Sequence, residues 1–404
     1  MKFLPYKPDQ AWLLPPSVKD VLEADPLCFF VDDIVGKLDL SAFVANYSDE
    51  GQRPYAPQLR VKVWLYAYCL QMTSSRRLEQ RLKEDLGFRY LAGGQAPDHC
   101  TLNNFRTRPQ KALHQLFVQV LEVGRGMGRG RLGQVAVDST GVRANASQRR
   151  TESVQELRQR LAATYRMIRR WQRQWAEAEH DEDPGTKVRP HYRPMLAPQW
   201  AETQEKLKKA QELRARQVSN TDADSRFLYQ SGGQGFVLGY TLDLAVSDDH
   251  GMVAQGTTQA VDDSPSLLPL LDKVRETCGE WPVEARADSG FFSVDNLVGL
   301  ETRGLRGLVP DPHRSGELQG HRPPVQSPGA RPEHCRRRAR RRSAAGKKRY
   351  GRRQALVEPV FGVLKEQRGL RGVRLRGLSK VRTELALACT AFNLTRMWKV
   401  RRTG

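Results

Sequence analysis

Three acidic residues lie in sequence contexts that suit a metal-binding site. Asp138 follows the apolar run Val135–Val137, Asp288 ends another strand-like run and precedes SGFF, and Glu358 opens the sequence EPVFGVLKEQ. Taken singly, each acid is weak evidence, because an aspartate after a strand most often caps a turn. Three in this order are stronger evidence, and together they would bind a divalent metal ion.

Clustered carboxylates suit the in-line displacement at phosphorus by which phosphodiester bonds are hydrolysed or transferred. Negative charge builds up on the oxygens during this reaction, and two Mg²⁺ ions about 3.5–4 Å apart activate the attacking oxygen and stabilise the leaving one. Mg²⁺ prefers oxygen ligands, so carboxylates suit it better than imidazoles or thiolates. The pattern therefore favours phosphodiester chemistry with two Mg²⁺ ions, for which Mn²⁺ can substitute.

A folded sheet must bring these acids together, and the sequence indicates one. The strand-like runs are residues 134–138, 239–249 and 251–261, PVEARAD ending at Asp288, and GLRGLVPD ending near Pro310. Residues 248–251 are expected to form a hairpin turn. If the first and fourth strands are neighbours, Asp138 and Asp288 lie a few ångströms apart, and a helix crossing the sheet can bring Glu358 to them.

The residues after the first acid have two interpretations. Ser139–Gly141 are expected to turn the chain away from the strand, and Arg143 is a candidate for contacting a phosphate; ordinary turn chemistry is an equal alternative. Asp222 and Asp224 are further candidates for orienting metal or DNA, although an Asp-rich turn ahead of a strand is the favoured interpretation. Asp243 and Asp262 have weaker claims still.

The region before the sheet is predicted to be helical. Residues 56–106 have apolar residues at helical spacing, with N-caps expected in the sequence TSSR and at Asp98 or Thr101. A helix carrying Asn104 and Arg106 could read a DNA groove, although a simple helical bundle is the commoner outcome.

Residues 149–218 are predicted to form a helical hairpin or arm inserted into the sheet. Apolar residues recur there at heptad spacing, and a segment with four prolines separates the two helical stripes. The first stripe contains Val154, Leu157, Leu161, Ile168, Trp171 and Trp175. Trp171 and Trp175 could stack on bases, but their seam positions favour packing between helices.

The net charge of +21 indicates a polyanionic partner such as nucleic acid. The densest positive run, RRRARRRSAAGKKRYGRR, directly precedes the third acid. Phosphate contact is the favoured interpretation of this run, and a solvated charge run is the alternative. Its candidate DNA-binding residues are Arg340, Arg341, Arg342, Lys347 and Lys348.

The sequence argues against a membrane or secreted protein. No run approaches the roughly 20 apolar residues of a spanning helix, and the first residues lack the apolar core of a signal peptide. The six cysteines have no paired spacing, so neither a disulfide framework nor a zinc knuckle is expected. The chain is therefore expected to be intracellular.

The three acids and their surroundings resemble the insertion-sequence transposases of the DDE class, whose catalytic domain is RNase H-like. Asp138 in VDSTGVRANAS matches the first acid of the family, Asp288 in ADSGFFSVDNL the second, and Glu358 in YGRRQALVEPVFGVLKEQRGLRG the third.

The match is most specific around the third acid. Tyr350, Arg353, Glu358 and Lys365 are similar to a tyrosine, arginine, glutamate and lysine signature of one branch of these enzymes. A helix would show Glu358 and Lys365 on one face, because they are seven residues apart. Pro359 is expected to fit only if Glu358 lies at the start of the helix or at a kink. The resemblance makes Tyr350, Arg353 and Lys365 candidates for DNA binding.

The resemblance implies an α/β (α+β) fold, an RNase H-like mixed sheet flanked by helices. Residues 1–130 would form an N-terminal helical, DNA-binding region, and residues 131–404 the catalytic domain, interrupted by the arm at 149–218 and a basic Pro/Arg-rich segment at 311–349.

The implied function is metal-dependent cleavage at the ends of an insertion element and strand transfer into target DNA. The partner would be double-stranded DNA, bound by a homodimer or larger assembly, in the nucleoid of a prokaryotic cytoplasm. The alternatives are an RNase H-like nuclease or resolvase, and an inactive basic DNA-binding protein derived from a transposase.

Overall fold

The computed structural model describes residues 17–22, 25–45, 54–128, 132–180, 192–230, 235–310 and 344–403. For 177–180, 192–195, 344–350 and 403 it describes the backbone alone. The chain forms two compact units. One contains Met1–Val123 with Thr390–Gly404, and the other contains Gly124–Cys389.

The first unit is helical, as predicted. The helices that begin in it are α1 (Val18–Val21), α2 (Leu27–Gly36), α3 (Ser41–Val44), α4 (Pro57–Cys69), α5 (Ser75–Glu84), α6 (Leu86–Leu91), α7 (His99–Thr107) and α8 (Gln110–Gly126). Two predicted N-caps are confirmed. The Ser74 side chain accepts from the backbone N–H of Arg77, and Asp98 accepts from the first turn of α7.

Arg106 lies inside this helical unit. It is 3% exposed, and its guanidinium stacks 4.5 Å from the ring centroid of Trp64. The same group donates to the hydroxyl of Tyr68 and to the backbone oxygen of Thr73. These contacts give Arg106 a role in packing, which favours the helical bundle over groove reading for this residue.

The second unit contains a mixed sheet, and the predicted fold class is confirmed. Its strands are β1 (Gln134–Arg143), β4 (Arg226–Gln230), β5 (Gly235–Ser247), β6 (Met252–Thr258), β7 (Glu284–Arg286) and β8 (Arg306–Leu308). The order is β4-β5-β1-β7-β8, and β6 pairs with β5. β1 is antiparallel to β5 and parallel to β7, which is in turn parallel to β8. The hairpin between β5 and β6 was predicted; β4 was not.

The expected turn after Asp138 is wrong, because β1 continues to Arg143. Residues 139–143 pair with β5 in unbroken register, from Ser139 opposite Asp243 to Arg143 opposite Gly239. β5 is 13 residues long and supplies a partner along this whole stretch. Gly239 permits the close approach, because a Cβ there would lie 2.6 Å from the backbone oxygen of Val142.

Four further helices are described in the second unit or begin in it: α11 (Leu267–Cys278), α12 (Val294–Thr302), α13 (Ala344–Gly362) and α14 (Leu378–Thr403). Helix α13 passes through Pro359 in its interior, so Glu358 does not lie at a helix start. A π-helical turn, Val363–Gln367, follows α13 directly. Proline removes one helical hydrogen bond, and a π-helical turn is one place where a helix absorbs such an irregularity.

The predicted inserted helical arm is confirmed. It begins and ends on a two-stranded antiparallel ribbon, β2 (Thr151–Ser153) with β3 (Gln217–Ser219), and its helices are α9 (Val154–His180) and α10 (Tyr192–Glu212). At its base, Leu157, Ala210 and Val218 form a buried cluster. The seam of the arm therefore packs on its own ribbon.

Removing the arm should leave the sheet folded. Ser153 and Gln217 are paired across the ribbon, so Val154–Arg216 can be replaced by Asn-Gly, which closes a two-residue hairpin. We expect a cooperative thermal unfolding transition within several degrees of that of the full chain, measured by circular dichroism. Leu244→Asp, which places a charge at a fully buried position in β5, is the control that should unfold the sheet. Loss of the transition in the deletion would show that the arm belongs to the main core.

Candidate active site

Asp138 and Asp288 lie beside each other at one edge of the sheet. The parallel pairing of β1 with β7 places Ala136 opposite Arg286, and each acid follows two residues later in its own chain segment. Burial, together with the negative charge of Asp288, raises the pKa of Asp138 above its usual value. The structure therefore brings two of the three predicted acids together.

Asp288 is held by the local structure that follows β7. Its Oδ1 accepts a hydrogen bond from the backbone N–H of Gly290 at 2.9 Å, which caps the short 3₁₀ turn Ser289–Phe291. The Phe291 ring is fully buried and anchors that turn. The sequence DSGFF thus folds so that the carboxylate stays at the sheet edge while the chain turns into the core.

Asp263 joins these two acids, although the sequence interpretation missed it. A Cβ placed on Gly290 would lie 2.9 Å from Oδ2 of Asp263 and 3.2 Å from Oδ1 of Asp288. Burial and the charges of Asp288 and Asp138 raise the pKa of Asp263 to about 6. The cluster on the sheet edge thus contains three aspartates: Asp138, Asp263 and Asp288.

A sequence signal for Asp263 did exist. β6 is antiparallel to β5, which is antiparallel to β1, so β6 runs in the same direction as β1 and β7. The carboxyl ends of strands that run in one direction lie at one edge of a sheet, where ligands commonly bind. An acid shortly after the third predicted strand was therefore a candidate on the same grounds as the other two.

A buried polar network lies behind the cluster. Asp243 is 1% exposed, and its Oδ1 accepts from the hydroxyls of Ser139 at 2.6 Å and Ser266 at 3.1 Å. Its Oδ2 is buried and forms no hydrogen bond among the described residues. Burial raises the pKa of Asp243 to about 6, against the opposing effect of nearby Lys273. This network fixes Ser139, the residue next to the first acid.

Two cationic residues on the C-terminal side of the chain act on Asp138. The guanidinium of Arg353, on α13, forms a 2.8 Å ion pair with Oδ2 of Asp138 and is largely buried. Lys365, in the π-helical turn, is half-buried; burial lowers its pKa, whereas the charge of Asp138 acts in the opposite direction. Two of the four residues of the predicted signature, Arg353 and Lys365, therefore lie near enough to the first acid to interact with its charge.

Glu358 lies on α13 between these two cations, and it is exposed. Among the described residues, it forms no hydrogen bond or ion pair. The predicted seven-residue spacing to Lys365 crosses into the π-helical turn, which changes the helical phase between the two side chains. The role of Glu358 as the third acid stays a prediction.

In the part of the chain that the structure describes, neither the three predicted acids nor the cluster of Asp138, Asp263 and Asp288 has its ligand atoms all within 4.8 Å of one another. The group of three potential ligands found there within 4.8 Å of one another is Asp98, His99 and Cys100. Asp98 is already the N-cap of α7, and Glu79 contacts the ring nitrogen Nδ1 of His99 at 2.8 Å. That group is explained by helix capping.

The other predicted site residues have varied placements. Arg143 is exposed at the end of β1, where its Nε donates to the backbone oxygen of Arg371. Lys347, Lys348 and Tyr350 lie on α13, in the part described by its backbone alone. Arg340, Arg341 and Arg342 lie outside the described residues. DNA contact by all of these residues stays a prediction.

Asp222 and Asp224 have a structural role that the sequence did not reveal. The carboxylate of Asp222 accepts from the hydroxyl of Tyr240 and from the backbone N–H of Gly377. Asp224 accepts from the backbone N–H of Leu378, the first residue of α14. Negative charge at a helix N-terminus is stabilising, so these acids anchor the start of the last helix.

A mixed sheet with two neighbouring carboxylates at its edge suits phosphoryl transfer assisted by divalent metal ions. Residues 17–108 match the family model described as Transposase domain (DUF772), and residues 326–398 match the one described as Transposase DDE domain. These two matches confirm the predicted resemblance to transposases with a DDE domain.

The second of these matches includes Arg353, Glu358 and Lys365. Comparison with curated proteins and with solved structures finds no significant match. Members of this family act on DNA and typically depend on divalent metal ions. Within the described ranges, no helix has the length and apolar character needed to span a membrane.

The buried Asp243 should make the stability of the protein in EDTA depend on pH. Its pKa rises from the ordinary 3.8 to about 6 on folding. Its stabilising contribution is therefore complete below the unfolded pKa and is lost as the pH rises through the folded one. Between about pH 5 and about pH 7, the free energy of unfolding should fall by about 1 kcal/mol more in the wild type than in Asp243→Asn.

Urea unfolding at several pH values would measure this difference. Asp248→Asn, in the exposed turn between β5 and β6, is the matched control and should follow the wild type. Identical pH dependence of the wild type and Asp243→Asn would contradict the assignment.

Proposed function

We propose that this transposase cleaves DNA at the ends of its element and joins the freed 3′ hydroxyl to target DNA. The observation that carries the proposal is the position of Asp138 and Asp288, each two residues beyond the last pair of the parallel strands β1 and β7, in a chain that matches two transposase domains. Two neighbouring carboxylates at the edge of a sheet can hold the divalent metal ions that assist phosphoryl transfer.

The residues present fit a divalent metal site. Asp138, Asp263 and Asp288 offer only oxygen atoms, the ligands that Mg²⁺ prefers, and the side chains of the last two both lie next to Gly290. We assign these three aspartates, with Glu358, to hold Mg²⁺, as two ions. When bound, Mg²⁺ lowers the pKa of a coordinated oxygen nucleophile and offsets charge on the phosphate.

The chain's own cations would bind the substrate. Arg353 offers a planar guanidinium that suits two oxygens of a phosphate at once, and Lys365 offers a compact ammonium group. In the protein alone, the Arg353 guanidinium is paired with Asp138. We propose that DNA phosphates take up part of its hydrogen-bonding capacity when substrate is bound, with Arg353 remaining beside the reacting group.

Other residues position these groups. Ser139 donates its hydroxyl to Asp243 and its backbone N–H to Asp138 Oδ1, so the buried network sets the direction of the first acid. The Gly290 N–H does the same for Asp288.

Two DNA ends must be handled together, so we expect at least a dimer on DNA.

Removing the charge of each assigned acid should abolish cleavage and spare binding. Asp138→Asn, Asp288→Asn and Glu358→Gln keep the side-chain shape but lose the charge that holds Mg²⁺, so each should reduce cleavage of element-end DNA by at least about 100-fold. Without metal, the thermal stability of the variants should hold or rise, because the acids repel one another.

Mn²⁺ should support cleavage by the wild type, and Ca²⁺ should allow binding with little cleavage.

Asp248→Asn serves as the control and should cleave like the wild type. Full cleavage by one amide variant would remove that residue from the site, and full cleavage by Asp288→Asn would refute the mechanism. Cleavage without joining to target DNA would favour the nuclease or resolvase, and binding without cleavage by the wild type would favour the inactive DNA-binding protein.

Asp263 should contribute to metal binding beyond the predicted acids. We expect Asp263→Asn to weaken Mn²⁺ binding by about 10-fold, measured by electron paramagnetic resonance, because it removes one charge from the cluster. The adjacent and exposed Asp262 offers a matched control, since Asp262→Asn removes the same charge outside the cluster. Equal Mn²⁺ affinity of the two variants would show that Asp263 is not a ligand.

A further inference from the structure

The two helices of the arm differ in charge. From Leu157 to Ala176, α9 contains six arginines and no acidic residue. Helix α10 instead alternates glutamates with lysines, and it has three ion pairs at i,i+4 spacing: Glu202 with Lys206, Glu205 with Lys209, and Glu212 with Lys208. The positive charge of the arm is therefore concentrated on α9.

Four of these arginines form one face of the helix, which we call the arginine face: Arg166, Arg169, Arg170 and Arg173. Their i, i+3, i+4, i+7 spacing places them together, opposite the seam that includes the buried Leu157 and Thr164. All four are exposed. With Tyr165 and Gln174, they line an open recess of about 430 Å³.

The arginine face has no acidic partner among the described residues. Arg160, on the seam side, pairs with Glu152 at 2.7 Å, which shows that α9 can form such a pair where an acid is near. The guanidinium of Arg169 donates to the hydroxyl of Tyr165 and lies 5.5 Å from the centroid of its ring. Among the described residues, no acidic side chain therefore neutralises the charges of this face.

The chemistry of the face fits the backbone of duplex DNA. Arginine remains charged at every physiological pH and binds phosphate with two parallel hydrogen bonds. Residues 166–173 span about 10 Å along the helix, and a DNA strand presents a phosphate about every 3.4 Å along its axis. Two or three phosphates of one strand can thus face the four guanidinium groups.

We infer that the arginine face of α9 is a second DNA-binding surface, which holds the sugar-phosphate backbone of a duplex through the inserted arm. The inference rests on the proposed function, because the duplex is the DNA on which the transposase acts. It assigns to the insertion the task of holding DNA away from the carboxylate cluster, without base recognition.

Salt dependence of binding tests this surface. The full chain and Arg166→Ala/Arg170→Ala/Arg173→Ala would be titrated with a mixed-sequence duplex of about 30 base pairs at several NaCl concentrations. Loss of two or three phosphate contacts should reduce the slope of log K against log salt by about 2–3. Affinity at low salt should fall by at least about 10-fold.

Two controls separate charge from helix damage. Gln155→Ala/Gln159→Ala/Gln172→Ala alters exposed neutral residues of the same helix, and Lys208→Ala removes a lysine that is already paired. Both should retain the slope of the wild type, with unchanged helix content by circular dichroism. An equal loss in the glutamine variant would overturn the inference.

An unchanged slope in the triple arginine variant would also overturn it, and so would a loss confined to single-stranded DNA. These outcomes are independent of catalysis. If the wild type fails to cleave DNA with Mg²⁺ but the arginine variant shows the reduced slope, the surface stands and the proposed catalytic function fails.

Discussion

The parallel pairing of β1 with β7 is the constraint on which the candidate site depends. It places Ala136 opposite Arg286, and therefore brings Asp138 and Asp288 to the same edge. A slip of one residue would turn the side chains of β1 to the other face of the sheet. The long antiparallel pairing of β1 with β5, from Val135 to Arg143, prevents such a slip. Much of the sheet thus fixes the position of two carboxylates.

Placing acids this close together opposes folding in the absence of a cation. Burial and mutual repulsion raise the pKa values of Asp138 and Asp263, and the nearby charge of Arg353 only partly offsets this for Asp138. A divalent cation interacts favourably with all of these carboxylates at once. The repulsion within the cluster and its proposed capacity to bind metal therefore have the same electrostatic origin.

The charged residues of the second unit serve two purposes. Some fix the local geometry of the protein, and others are exposed and available to a substrate. Asp243 lies inside the sheet and fixes Ser139 and Ser266 through hydrogen bonds. The arginine face of α9 is the opposite case, since it is exposed and lacks acidic partners among the described residues. In this unit, burial marks the charges that serve packing, and exposure marks those of the proposed DNA-binding face.

The sequence by itself determined the local features of this protein. Apolar periodicity and caps such as Ser74 and Asp98 located helices, the heptad seam located the arm, and the motifs around Asp138 and Asp288 indicated the class of enzyme. Such signals are encoded within a few turns of chain, where spacing alone decides which side chains share a face.

Only the tertiary structure decided the features that depend on distant partners. β1 extends beyond Asp138 because β5, about a hundred residues later, supplies its hydrogen bonds. Asp263 lies beside Asp288 because β6 runs in the same direction as β1 and β7, and Asp224 caps a helix that starts at Leu378. The relation of Glu358 to Lys365 depends on a π-helical turn that spacing does not reveal. Strand register and helix irregularity are set by long-range packing, whereas residue spacing reports only what neighbouring residues do.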